Sequence, residues 1–179
     1  MDDIARHLGM SKKTIYQFYE DKDAVIMAWT NRELESHMKA CDSVASDAKN
    51  AVEEIMHMMQ YFGKVFSRLN PSLFHDMQKY YPKVWNIYKD FKNKSANDQI
   101  IRNLEKGKSE GLYRPDINNK IIARLRMEEV EMAFNPHYFP HGQFSMVDVQ
   151  MQLLDHFMHG ICTIKGHKLI NKYRQINEE

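Results

Sequence analysis

The chain has 179 residues, with 25 Lys and Arg against 24 Asp and Glu and a formal net charge of +1. That balance excludes a protein that coats nucleic acid or membrane through its overall charge, so any contact with DNA must come from a local cluster. Cys41 and Cys162 are the only cysteines, which fits a reducing cytoplasm better than a disulfide scaffold, and neither a signal peptide nor an apolar run of the ~18 residues needed to span a membrane is visible.

Five prolines, seven glycines and few β-branched runs predict an all-α chain. A short helix over residues 2–8 opens it, with Asp2 and Asp3 in the first turn and Gly9 as its stop. Ser11 caps a second helix through Tyr16, and Asp21 caps a third that runs to about Cys41. Ala5 is small where the first two helices cross, and Ile4, Leu8 and Ile15 form the seam. The second helix then presents Lys12, Lys13, Thr14 and Gln17 outward, a polar and positive helix start of the kind that enters a major groove. Tyr16 and Lys22 are placed to reach phosphates on either side. An ordinary helical hairpin is the competing reading of residues 2–22.

Residues 51–69 have the clearest period: Val52, Ile55, Met59, Phe62, Phe66 and Leu69 make one apolar stripe. Such a stripe is usually core, although thirteen methionines suit an adaptable pocket wall. Asn70-Pro71 ends it. Further helices are expected over 72–80, from Pro82 to about Lys94, and over 96–110, closed by Gly111 and Pro115. Tyr61, Trp85, Tyr88 and Phe91 are secondary candidates to line a pocket.

Asp116 caps a predicted helix over 117–134, which Asn135-Pro136 breaks. Arg124–Glu128 and Arg126–Glu129 are spaced as surface pairs, with an inward-facing Glu128 as the open alternative. His137 and His141 flank a loop. Ser145 and Asp148 form an acidic capping box for the last long helix, 145–165, and the polar tail beyond Gly166 is expected to fray. His156, His159 and Cys162 have a spacing a metal could use, but no further ligand is fixed, so neither metal nor cofactor is expected. No phosphate loop, H-E-x-x-H run or nucleophile elbow points to an enzyme.

The run I-A-x-x-L-G-M-S-K-x-T-I-Y over residues 4–16, continued to Lys22, resembles the DNA-binding signature of the TetR family. The resemblance implies a recognition helix at residues 11–16, with Lys12, Lys13, Thr14 and Gln17 facing the groove and Tyr16 and Lys22 on the backbone. Phe18 stands where many members have His or Tyr. The resemblance also implies a division into residues 1–41, the DNA-binding module with its connecting helix, and residues 42–179, a ligand-binding and dimerisation body. The G-L-Y-R-P-D run at 111–116 is similar to the joint before the final helix pair of many members.

The implied function is a cytoplasmic, ligand-responsive transcriptional regulator, a repressor by family default, that binds operator DNA as a homodimer. Its effector is expected to be a small apolar or amphipathic molecule held by Met59, Phe62 and Phe66. Leu153, Phe157, Gly160 and Ile161 are expected at the dimer interface. Members of that family carry one more helix ahead of the motif. The sequence given starts at the motif, so Ile4, Leu8, Ile15 and Tyr19 are expected to lack that cover. The alternative is a helical ligand-binding or interaction homodimer without competent DNA binding.

Overall fold

The computed structural model describes residues 1–140 and 142–175; His141 lies outside them. Among these residues the fold is all-α: ten α-helices and one π-turn, with a lone β-bridge between Tyr113 and Cys162 in place of any strand. No helix among them is long and apolar enough to cross a membrane.

Helices α1 (Asp2–His7) and α2 (Lys12–Tyr16) are separated by Gly9 at φ +64°, a conformation that favours glycine. Asp21 Oδ1 accepts from the Ala24 N–H at 2.7 Å and starts α3 (Lys22–Asp47). This helix runs six residues past the expected end at Cys41. No Gly or Pro interrupts 42–47, and the half-buried Val44 and Ala45 continue its inner face. The expected boundary at 41/42 therefore falls inside a helix.

Helix α4 (Ala51–Phe66) is capped by Asn50, whose Oδ1 accepts from the Glu53 N–H. It stops three residues short of Leu69, as turns at Ser67, Arg68 and Leu69 bond back to Gly63, Val65 and Phe66. Helices α5 (Leu73–Tyr80) and α6 (Pro82–Phe91) meet at Tyr81. A π-turn over Lys92–Ala96 then joins α6 directly to α7 (Asn97–Ser109), where two separate helices were expected. Gly111, at φ +70°, turns the chain toward α8 (Asn119–Ala133).

Asn118, not Asp116, caps α8: its Oδ1 accepts from the Lys120 and Ile121 N–H groups. Asp116 is engaged instead by Arg114, at 2.9 Å. Helix α9 (Met146–Ile161) begins at its Ser145 cap but ends early, and α10 (Ile164–Arg174) follows from a Thr163 cap. Leu112 and Arg114 take the backbone that a continuous helix would need: the Thr163 N–H donates to Leu112 O, and the Arg114 N–H donates to Ile161 O, both at 2.9 Å. The expected frayed tail is thus a docked helix. Ile170 is completely buried, and Asn50 Nδ2 donates to Tyr173 Oη at 3.1 Å.

The main core joins α4, α7, α8, α9 and α10 around Val52, Leu104, Met158 and Ile161. At its centre the Tyr113 hydroxyl lies 2.9 Å from Ala51 O and 3.0 Å from Asn103 Oδ1, and Asn103 Nδ2 also donates to Ala51 O. The Tyr113 ring lies flat against Gly107, where a methyl group would overlap it. Gly→Ala inside a helix ordinarily gains about 1 kcal/mol. Here Gly107→Ala is expected to lose about 1–3 kcal/mol through overpacking, read by urea unfolding. A stabilised variant would mean that the ring does not rest there.

Candidate nucleic-acid interface and adjoining cleft

The first two helices pack chiefly on each other. Ala5 and Ile15 are buried in their seam, as the spacing demands. Leu8 is not in it: 55% of its surface is exposed. Phe18 and Met10 are exposed as well. Ser11 caps α2 with its Oγ 3.0 Å from the Thr14 N–H and 2.8 Å from the Thr14 hydroxyl, so Thr14 is tied into the cap.

Lys13, Tyr16 and Gln17 are exposed together on and just beyond α2. Lys12 is also exposed, but its Nζ lies 2.8 Å from Asp2 Oδ1. That pair lowers the Asp2 carboxyl and raises the Lys12 ammonium relative to their ordinary values. Lys22 projects from the start of α3, with Nζ 5.2 Å from the centre of the Tyr81 ring. Its hydrogen bond to Tyr81 raises its pKa. A side chain read from sequence as a phosphate contact therefore rests on the α5–α6 joint of the body.

Helix α3 makes its most extensive packing with α6, through Ile26 and Met27 against Met77, Val84 and Tyr88. On the far side of α5 and α6, facing α8, opens a cleft of about 400 Å³. Phe74, Trp85 and Tyr138 supply aromatic walls, and Glu128, Glu129 and Glu131 supply carboxylates. No Lys or Arg is among the described residues that line it. Of the pocket candidates, Trp85 is in this lining, whereas Met59, Phe62 and Phe66 are not. Phe62 stacks on Phe66, which meets Phe134 edge-on within an apolar cluster, so this part of the stripe is core behind the cleft. Met59 packs against the main core. From sequence, Glu129 and Glu131 read as surface charge, and only Glu128 carried the alternative of facing inward.

The carboxylates are neutralised from behind. Lys92, at the head of the π-turn, is nearly buried, and its Nζ lies 3.0 Å from Glu128 Oε1 and 2.8 Å from Glu131 Oε1. Arg124 meets Glu128 from the outer side at 2.6 Å, the spacing pair expected from sequence, and Arg126 pairs with Glu129 at 3.2 Å. Both carboxylate atoms facing Lys92 are buried, as is the nearby Tyr88 hydroxyl, which has no hydrogen-bond partner. Burial, reinforced by Glu131 and Glu128, pushes the Tyr88 hydroxyl far above its ordinary pKa.

The expected interface residues divide. Phe157 and Ile161 point into the protomer's own core, because α9 ends against the 111–114 loop with that face inward. Leu153 is half-buried and Gly160 is exposed, and nothing lies within 4 Å of where a Gly160 side chain would begin. Ile121, Leu125 and Ile164 are the large apolar residues exposed along α8 and α10. His159 Nδ1 sits 3.0 Å from His167 Nδ1, while Cys162 is buried against Gly166. Among the described residues no group of three His, Cys, Asp or Glu side chains is placed to hold a metal ion.

No protein-family model matches the chain. It is 24% identical over 163 residues to YvaF of Bacillus subtilis (strain 168), described as an uncharacterized HTH-type transcriptional regulator, covering 90% of this chain and 84% of that protein. Its fold matches that of the ketosteroid transcriptional regulator KstR2 of Mycobacterium tuberculosis with a TM-score of 0.62, at 18% identity, over 90% of this chain and 83% of the other. The chain is thus similar, over nearly all of its length, to an HTH-type transcriptional regulator and has the fold of a second regulator.

Proposed function

We propose that the protein is a ligand-responsive, DNA-binding transcriptional regulator of the TetR type, acting in the cytoplasm as a homodimer and most simply as a repressor. The observation that carries this reading is the α1–turn–α2 unit: a glycine at positive φ, a buried Ala5–Ile15 seam and a capped helix whose exposed residues are Lys13, Tyr16 and Gln17. Whole-length similarity to regulators supports it. Lys12 and Thr14 remain groove-facing candidates, with Lys12 exchanging Asp2 for DNA. Residues 1–41 act as the DNA-binding module with the start of its lever, and 42–179 as sensor and dimer body. Ile121, Leu153, Gly160 and Ile164 are the surface residues proposed for the two-fold interface, in which each subunit offers the same patch. The small effector is proposed to enter the cleft walled by Trp85 and Phe74. A second reading, a helical ligand-binding homodimer that does not grip DNA, draws on the exposed Leu8, Met10 and Phe18 of the module.

The test is selection of a duplex from a random pool, followed by footprinting. Two protected half-sites about 34–36 Å apart, or a multiple of that, are expected. Lys22→Ala should weaken binding to every sequence and reduce the salt slope by about one, because one phosphate contact is lost. Exchanging Gln17 or Lys13 should instead alter sequence preference. Unchanged affinity and slope in Lys22→Ala would refute the docking, and no selected site at all would favour the second reading.

A further inference from the structure

We propose that the cleft between α5, α6 and α8 selects an amphipathic organic cation, whose positive head approaches Glu131, and Glu128 beside it, from their exposed side. That this molecule acts as an effector rests on the regulatory reading above; its charge rests on the cleft alone. Three glutamates line the cleft, and none of its described lining residues is Lys or Arg. Of the balancing cations, Lys92 and Arg126 are almost completely buried, while the exposed Arg124 holds Glu128 at 2.6 Å, so Glu131, whose side chain is 25% exposed and meets only Lys92, is the carboxylate most open to a ligand. A molecule entering the cleft therefore meets carboxylate oxygens and the rings of Phe74, Trp85 and Tyr138. Aromatic faces attract cations and give anions nothing, and desolvation in a cleft strengthens that preference. An apolar molecule would fill the same walls but cover the exposed side of Glu131 and give nothing back for the water it displaces.

Lys92 holds the inner oxygens. It stands at ion-pair distance from Glu128 Oε1 and Glu131 Oε1, and both of these atoms are buried. A ligand ammonium reaches Glu131 from its exposed side, where it can donate to the outer carboxylate oxygen. That added charge has a route outward. Lys92 follows the last residue of α6, and Tyr81, which Lys22 touches, precedes its first. Helix α6 thus runs between the counterion of the cleft and a lysine of the DNA module. A π-turn, an irregularity frequent at functional sites, holds one end. A cation drawn to Glu131 shares that carboxylate with Lys92 and so weakens an ion pair that anchors this turn to α8.

The experiment is calorimetric titration of the full chain with three probes of one size: 4-phenylbutylammonium, 4-phenylbutanol and 4-phenylbutyrate. The cation is expected to bind about tenfold more tightly than the alcohol, and the anion most weakly. Glu131→Gln, which leaves Lys92 paired with Glu128, should remove about that tenfold preference and leave the alcohol unaffected. Equal affinity for the three probes overturns the proposal, as does a cation preference that survives Glu131→Gln in a protein of unchanged melting temperature. Repeating the titration with the selected duplex bound separates the two readings. A cation that binds through Glu131 with the same affinity on and off DNA supports the ligand class and overturns the regulatory reading instead.

Discussion

Replacing Arg126 with leucine is expected to destabilise the protein by about 3–5 kcal/mol. The guanidinium is held inside α8 with Nη1 3.2 Å from Glu129 Oε2, and the two side chains are only 9% and 10% exposed. Burial pulls the Arg126 pKa down, and Glu129 opposes that pull through its charge and its hydrogen bond. The arginine also lies over the Phe157 ring, 6.0 Å from its centre. Removing it strands a carboxylate in a poorly hydrated site, and the cost is that of the orphaned charge more than of the lost bond. Adding Glu129→Leu to the same chain should therefore restore most of the stability, so the two changes together cost less than the first alone. Urea unfolding of both single variants and the double variant measures the coupling. If Arg126→Leu alone fell within about 1 kcal/mol of the parent, the pair would be behaving as a solvated one.

Ile15→Asp should reduce operator affinity about a thousandfold, to the level of non-specific binding. Ile15 is the buried residue that α2 contributes to its seam with α1. A carboxylate there cannot be solvated without parting the two helices, and a recognition helix that has lost its support presents no fixed surface to a groove. The bundle should not register the change, because α1 and α2 contribute no residue to its apolar clusters. Gel shift and thermal melting on the same sample therefore give opposite answers: DNA binding lost, melting temperature kept. A variant that still selects the same duplex would show that α2 is not the reading element.

The two readings that succeeded most fully, the all-α fold and the glycine turns, rest on local chemistry. Gly9 and Gly111 take positive φ where a stop was expected, and Ser11, Asp21 and Ser145 cap the helices assigned to them. The errors lie where distant backbone decides. Nothing local marks Cys162 as a break, since only the 111–114 loop, some fifty residues away, takes its neighbours' hydrogen bonds. Thr163 as a cap, with Ile170 and Tyr173 beyond it, was the signal available for α10. Gly166 looked like an ending; it is small because Leu112 O and Cys162 crowd it. Asp116 and Asn118 are both able caps, and a tertiary turn chose between them by giving Asp116 to Arg114.

The cleft was partly legible. Trp85 was in view, but Phe74 and the three glutamates converge only once α5, α6 and α8 have packed. The Phe62–Phe66 stripe was correctly found as an apolar face, while its partner, the Phe134 end of α8, could not be read from period alone. Phe157 and Ile161 were expected at the dimer interface because the resemblance implies that the last two long helices pair subunits; both lie in the protomer's own core, in one cluster with Ile170 of α10.

The docking of α10 also sets a timetable during synthesis. Asn50, the cap of α4, finds Tyr173 only after 123 further residues, and Ile170 fills the same core. At roughly 5–20 residues per second the ribosome leaves that core open for about 6–25 s. The α1–α2 unit, whose contacts are all within twenty residues of one another, has no such wait. On a nascent chain α1 and α2 are thus complete while the core of the bundle is still unfinished, and the exposed apolar face of α4 is the surface a chaperone would meet in the interval.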